Sequence, residues 1–124
     1  MGSHHVAVLN SGTAAIYLGL ILFGVQAGDT VICQRMTFSA SANPILYQGA
    51  IPIFSDSEPE TGNLCPIALE EAIADSNAKG VLPKAIIDWH WYGISYQIEA
   101  VRSIADKYSI PILEESAEAL GKLF

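Results

Sequence analysis

A chain of 124 residues, 51% apolar and only 15% charged, is long enough for one domain and hardly for two, and it is composed to bury a dense core. Its formal net charge of −7, with two arginines far apart in sequence (Arg35 and Arg102), argues against a nucleic-acid or anionic-membrane surface, which needs clustered Lys and Arg. Cys33 and Cys65 form no Cys-x-x-Cys pattern and have no histidine at ligand spacing. They read as two structural thiols of a reduced, cytoplasmic chain, with no metal site implied. The longest apolar run, Ala14 to Val25, is interrupted by Gly19 and Gly24, is too short to cross a bilayer, and lacks the basic front and cleavage site of a signal peptide. The opening "MGSHH" partly resembles a tag or leader remnant, which sets residues 1–5 apart from a single partial domain over 6–124.

Strand and helix alternate along the chain. Val6 to Leu9 reads as a short first strand, followed by a Ser-Gly-Thr turn and a helix from about Thr13 to Phe23. That helix is apolar nearly all round, the pattern of a buried element. Gly24 supplies its C-terminal stop and Gly28-Asp29 the next turn. Thr30 to Cys33 is a second strand, and a short helix follows with Ser39 or Ser41 as its cap. Pro44 is compatible with that helix only in its first turn or at a kink. Ile51 to Phe54 is a third strand and "SDSEPETGN" a polar loop.

Pro66 then opens an amphipathic helix with Ile67, Leu69 or Glu70, and Ile73 on one face and a Lys79-Gly80 stop. Ala85 to Ile87 begins a fourth strand that runs into "DWHWYG". The next helix carries Ile98, Val101, Ile104 and Ala105 on one face. Ile110 to Leu113 is a fifth strand, ending in Glu114 and Glu115. Helices between successive strands imply right-handed crossovers, hence an α/β fold of three α/β/α layers around a largely parallel sheet.

Ligands of such sheets bind outside the carboxyl ends of the strands. Four clusters fall there: Ser11-Gly12-Thr13, Thr37-Phe38-Ser39, His90 to Gly93, and Glu114 to Glu118. The first has two readings. Ser11 or Thr13 is an ordinary helix cap, or the turn is a phosphate cradle in which a helix N-terminus offers unpaired N–H donors and Gly12 lets a ligand approach the backbone. A generic dinucleotide site is disfavoured, because the turn lacks G-x-G-x-x-G spacing and no acidic residue follows at the expected place.

Taken in order, "SGTAA", "AGDTVICQRMTFSASANPILYQGAIPIF" and "IPILEESAEALG" resemble the DegT/DnrJ/EryC1/StrS family of pyridoxal-phosphate aminotransferases. The resemblance runs from about Val6 to the end of the chain and covers a minority of a full member. It implies part of the large domain of the type I aminotransferase fold, homodimers, and transfer of an amino group to nucleotide-linked keto-sugars. It also implies roles at single positions. Gly12 and Thr13 match the phosphate turn, and Phe38 matches the aromatic residue that stacks on the pyridine ring, although a Phe after a strand also reads as core. Glu115 matches the carboxylate that pairs with the pyridine nitrogen, beside the plainer reading of a solvated strand-end acid. Glu118 matches a position near the cofactor's phenolic oxygen. His90 matches a histidine beside the site, with a satisfied, partly buried histidine as the equal alternative.

The sequence departs from the family pattern in several places. Glu115 stands where the family has Asp, and the extra methylene moves the charge by more than about an ångström, where such contacts depend on finer placement. Asp88 and Trp89 replace small or aliphatic residues, and a charge at a buried strand end is costly unless paired or exposed. None of Lys79, Lys84, Lys107 and Lys122 matches the family's Schiff-base lysine, which lies a few dozen residues past the acidic motif. The family's N-terminal segment, small C-terminal domain and remaining strands are not in this sequence either. The expectation is a truncated aminotransferase chain that is not a competent transaminase alone. The rival expectation is a non-catalytic α/β module that binds a phosphate ligand or self-associates through exposed apolar surface.

Overall fold

The computed structural model describes residues 5–35, 39–89 and 97–116. Helices and strands alternate through them as α1 (Gly12–Leu22), β1 (Thr30–Gln34), α2 (Ser39–Tyr47), β2 (Ile51–Ser55), α3 (Pro66–Ala78), β3 (Ala85–Trp89), α4 (Ile98–Lys107) and β4 (Ile112–Glu115). The sheet order is β2-β1-β3-β4 and every pairing is parallel, as the strand–helix alternation requires. Register places Val31 beside Ala85, Ile87 beside Leu113, and Trp89 beside Glu115.

Alternation along the strands splits the core into two layers. Val31 and Cys33 of β1, Ala85 and Ile87 of β3, and Leu113 of β4 face Ile16 and Leu20 of α1 and Ile45 of α2. Ile32, Ile86 and Ile112 face the other way, toward Leu69 and Ile73 of α3 and Val101 and Ala105 of α4. Both layers are therefore apolar and both faces of the sheet are covered, which explains strands that read as continuous apolar runs.

Three expectations change, and one, at Pro44, is narrowed. Val6–Leu9 is not a strand: it pairs with nothing described, and Val6 and Val8 are 82% and 93% exposed. A strand exists through its ladder partner, and apolar composition alone does not supply one. Helix α1 is not buried all round. Ile16 and Leu20 enter the core, while Tyr17, Ile21 and Leu22 face outward. On α3 the inward face is Pro66, Leu69, Ile73 and Ser76, and Ile67 is exposed. Leu69, not Glu70, points in. Pro44 lies inside α2, beyond its first turn, where its ring removes one main-chain hydrogen bond. The loop after β2 is also less simple than its polarity suggests, since a bridge joins Ser57 to Leu64 and both Asn63 and Leu64 are fully buried.

Cys33 sits in the α1/α2 layer, and burial pushes its thiol up to about 12 from the ordinary 9.0. A raised value means that the folded chain holds the proton more tightly than the unfolded chain does. The buried thiol's contribution to stability is then complete below about pH 9 and falls away as pH rises toward 12. With a thiol reagent at pH 8, Cys65, which is partly exposed, is expected to react in the native chain, and Cys33 only after denaturation. Counting labelled thiols before and after adding guanidinium checks this.

Candidate functional site

Gly24, two residues past α1, lies over the start of β3, where a Cβ on it would be 4.0 Å from Lys84 Cε. Gly19 lies over Leu113 in β4. Helix α1 therefore runs opposite to the strands and opens at their carboxyl ends. Its first residues are the Ser-Gly-Thr turn. Ser11 is extended (φ −160, ψ 159), and its Oγ accepts the Ala14 N–H at 3.1 Å, so the cap reading is correct. The phosphate reading survives it. One cap oxygen satisfies one of the four orphan donors, and the N–H groups of Gly12 and Thr13 still precede any helical acceptor. A Cβ at Gly12 would meet nothing within 4 Å, and Gly12 has no positive φ. Neither packing nor backbone strain asks for glycine here, which leaves bare backbone facing open space.

Beside this turn lies a cleft of about 480 Å³ bounded by Asn10, Ser11, Thr13, Ala14, Tyr17 and Tyr47. Tyr17 and Tyr47 meet edge to face, with centroids 6.3 Å apart and planes at 67°. A hollow of about 530 Å³ lies elsewhere, against Gly28, Thr30, Ile51 and Lys79 at the amino ends of the strands. Its place in the fold separates it from the clusters of interest.

At the end of β4, alternation sends two adjacent carboxylates to opposite faces. Glu114 turns toward α4 and accepts from Arg102 Nη2 at 2.6 Å. Glu115 shares the Leu113 face, and its Oε2 accepts from Ser41 Oγ at 2.7 Å. The acidic pair is thus one structural ion-pair member and one carboxylate turned to the same layer as α1. Behind them, buried Gln34 joins three segments: its Oε1 accepts the Trp89 N–H at 3.3 Å and its Nε2 donates to the Gly62 carbonyl at 3.4 Å. Asp88 is fully buried on the α3/α4 face beside Glu114.

The fold therefore brings Gly12, Thr13 and Glu115 to one edge and one face of the sheet. Phe38, His90 and Glu118 lie outside the described residues. Sequence reasoning missed Ser41 as a partner of Glu115, weighing it only as a cap, and missed Gln34 altogether; a polar residue closing an apolar strand was the available signal. The described lysines lie at the far edge. Lys79 caps the C-terminus of α3 and pairs with Asp75 at 2.7 Å, Lys84 precedes β3, and Lys107 ends α4. The hydrogen bond from Lys107 to Glu70 (2.8 Å) raises the ammonium's pKa, which keeps this exposed lysine charged.

Helix-end donors beside bare backbone, and a carboxylate held on the same face, suit a phosphate ester and a heteroaromatic nitrogen. They fit pyridoxal phosphate. Comparison with known proteins agrees. EpsN of Bacillus subtilis, named for pyridoxal phosphate-dependent aminotransferase activity, is 47% identical over 124 residues, all of this chain and 32% of its own length. GDP-perosamine synthase of Caulobacter vibrioides is 34% identical over 123 residues, covering 99% of this chain and 32% of its own. The solved structure of NtdA from Bacillus subtilis, with bound cofactor PMP, superposes with a TM-score of 0.80 at 35% identity, over 90% of this chain and 24% of that one. The chain spans about a third of the length of the curated relatives it matches. No described helix is long and apolar enough to cross a membrane. The family profile is matched over residues 1–124, and the chain belongs to the DegT/DnrJ/EryC1/StrS aminotransferase family.

Proposed function

We propose that this chain is the cofactor-cradling part of a pyridoxal phosphate-dependent sugar aminotransferase. The complete protein moves an amino group from a donor such as glutamate to a nucleotide-linked keto-sugar. The observation that carries the reading is the convergence of the α1 N-terminus and Glu115 on one face at the carboxyl edge of the sheet. When bound, pyridoxal phosphate supplies the electron sink for amino transfer. The N–H groups of Gly12 and Thr13, with the Thr13 hydroxyl, bind the phosphate. Glu115 holds a proton on the ring nitrogen. By the family resemblance, Phe38 would stack on the ring, Glu118 would lie near the cofactor's phenolic oxygen and His90 beside the site; all three lie outside the described residues. Lys79, Lys84 and Lys107 stand at the opposite edge, and Lys122 follows the acidic motif too closely to match the family's Schiff-base position, so on this reading the chain binds the cofactor without turning over.

The same reading makes the protein cytoplasmic, in keeping with its two unpaired thiols, and a homodimer. Tyr17, Ile21 and Leu22 of α1 and Leu46 and Tyr47 of α2 form an exposed apolar strip, which supports self-association. That strip also supports a second reading, a non-catalytic module that self-associates without cofactor.

Calorimetric titration of the full chain with pyridoxamine phosphate separates the two. Saturable binding with competition by inorganic phosphate is expected, together with no stoichiometric lysine adduct after pyridoxal phosphate and borohydride. A stoichiometric adduct at one lysine with amino transfer would overturn the incompetence of the chain. Self-association in sedimentation without any pyridoxamine phosphate binding would favour the second reading.

A further inference from the structure

We infer that Ser41 is a positioning residue that clamps Glu115 for its contact with the cofactor's ring nitrogen; this rests on the cofactor reading above. Three observations carry it. The hydroxyl of Ser41 donates to Glu115 Oε2 at 2.7 Å across 74 positions of sequence, so only the fold makes this pair. Ser41 is 1% exposed, and a buried hydroxyl must spend its proton on a partner. It stands in the first turn of α2, where there is no helical carbonyl four residues back to take that proton, and the carboxylate takes it instead.

The consequence bears on the extra methylene of glutamate. A glutamate side chain has one more rotatable bond than an aspartate, and a ring contact needs its oxygen held within about half an ångström. A charge-assisted bond to one oxygen fixes the carboxylate plane and restores what the added rotor loosens. The bond is made to Oε2, one of the two carboxylate oxygens. Trp89, level with Glu115 in the neighbouring strand, is held by Gln34 and backs the same strand end.

The test compares pyridoxamine phosphate with its 1-deaza analogue, in which carbon replaces the ring nitrogen, by calorimetry on the full chain. Ser41→Ala is expected to weaken pyridoxamine phosphate by about 10-fold, from loss of a hydrogen bond to a charged group, and to leave the deaza analogue unchanged. Ser41→Thr keeps the hydroxyl and is expected to restore affinity. In a Glu115→Gln background, Ser41→Ala should cost little further selectivity between the two ligands. Equal weakening of both ligands by Ser41→Ala, or no change in either, overturns the clamp while leaving the cofactor reading intact. Failure of the unsubstituted chain to bind pyridoxamine phosphate overturns both. Thermal melts of both Ser41 variants exclude a folding defect as the cause: Ser41→Ala that melts like the parent supports the clamp, and an affinity loss that Ser41→Thr does not rescue counts against it.

Discussion

Gly12→Asp is expected to weaken pyridoxamine phosphate binding by at least about tenfold while leaving the chain as stable as before, or slightly more so. The two effects have opposite signs for one reason. An aspartate at the first position of α1 meets the positive end of the helix, which is worth about 0.3–1 kcal/mol to the fold. A Cβ there meets nothing within 4 Å, and the residue has no positive φ, so neither sterics nor strain opposes the change. A phosphate in the same place meets that carboxylate instead of bare N–H groups. Two unit charges at about 4 Å repel by roughly 4 kcal/mol at an effective dielectric near 20, and half of that would still be more than tenfold in affinity. Pyridoxamine without its phosphate is the control, and its affinity should not change. An equal loss for both ligands would move the phosphate away from α1, and a lowered melting temperature would mean that glycine is needed for folding after all.

Gly19→Val is expected to cost about 1–3 kcal/mol of stability, the range for overpacking a fitted contact. An added Cβ would be 2.8 Å from Leu113 Cδ1 and 3.1 Å from Cδ2, so α1 approaches β4 as closely as it does only because residue 19 has no side chain. Valine adds two further methyl groups at that point. Alanine is the informative partner: it removes a mid-helix glycine, worth about 1 kcal/mol in propensity, and it needs only the end of the Leu113 side chain to shift. Gly19→Ala should therefore be near neutral. Leu113→Ala in the Gly19→Val background should recover part of the loss, because the methyl groups in conflict are gone. Denaturant midpoints at constant m would measure this. Leu113 is two residues before Glu115 on the same face, so Gly19→Val should also weaken pyridoxamine phosphate binding, whereas a distant core change of equal cost should not.

Much of this architecture was legible from the chain. Strands and helices in βαβ order dictate a parallel sheet, and the apolar strands call for cover on both faces. Ser-Gly-Thr before an apolar helix offered two readings, a cap and an anion site; the structure shows the cap, in which Ser11 takes the Ala14 N–H, and this leaves the N–H groups of Gly12 and Thr13 for the other. Val6–Leu9 was misread because local composition cannot report whether a ladder partner exists. The outward face of α1 was misread because a helix that is apolar all round gives no phase: the 3.6-residue period has nothing to contrast.

What the sequence alone determined is the family, the fold class and the order of the candidate clusters, since these follow from local pattern and spacing. What only the tertiary structure decided is which side each acid faces and what holds it. Glu114 and Glu115 are neighbours of the same type, and nothing local distinguishes them. The pleat sends one to Arg102 and the other to Ser41, and both partners are fixed by how helices pack on the sheet. The exile of Lys79, Lys84 and Lys107 to the amino edge has the same origin: a crossover helix must run back against its strands, so its last turn ends opposite the site.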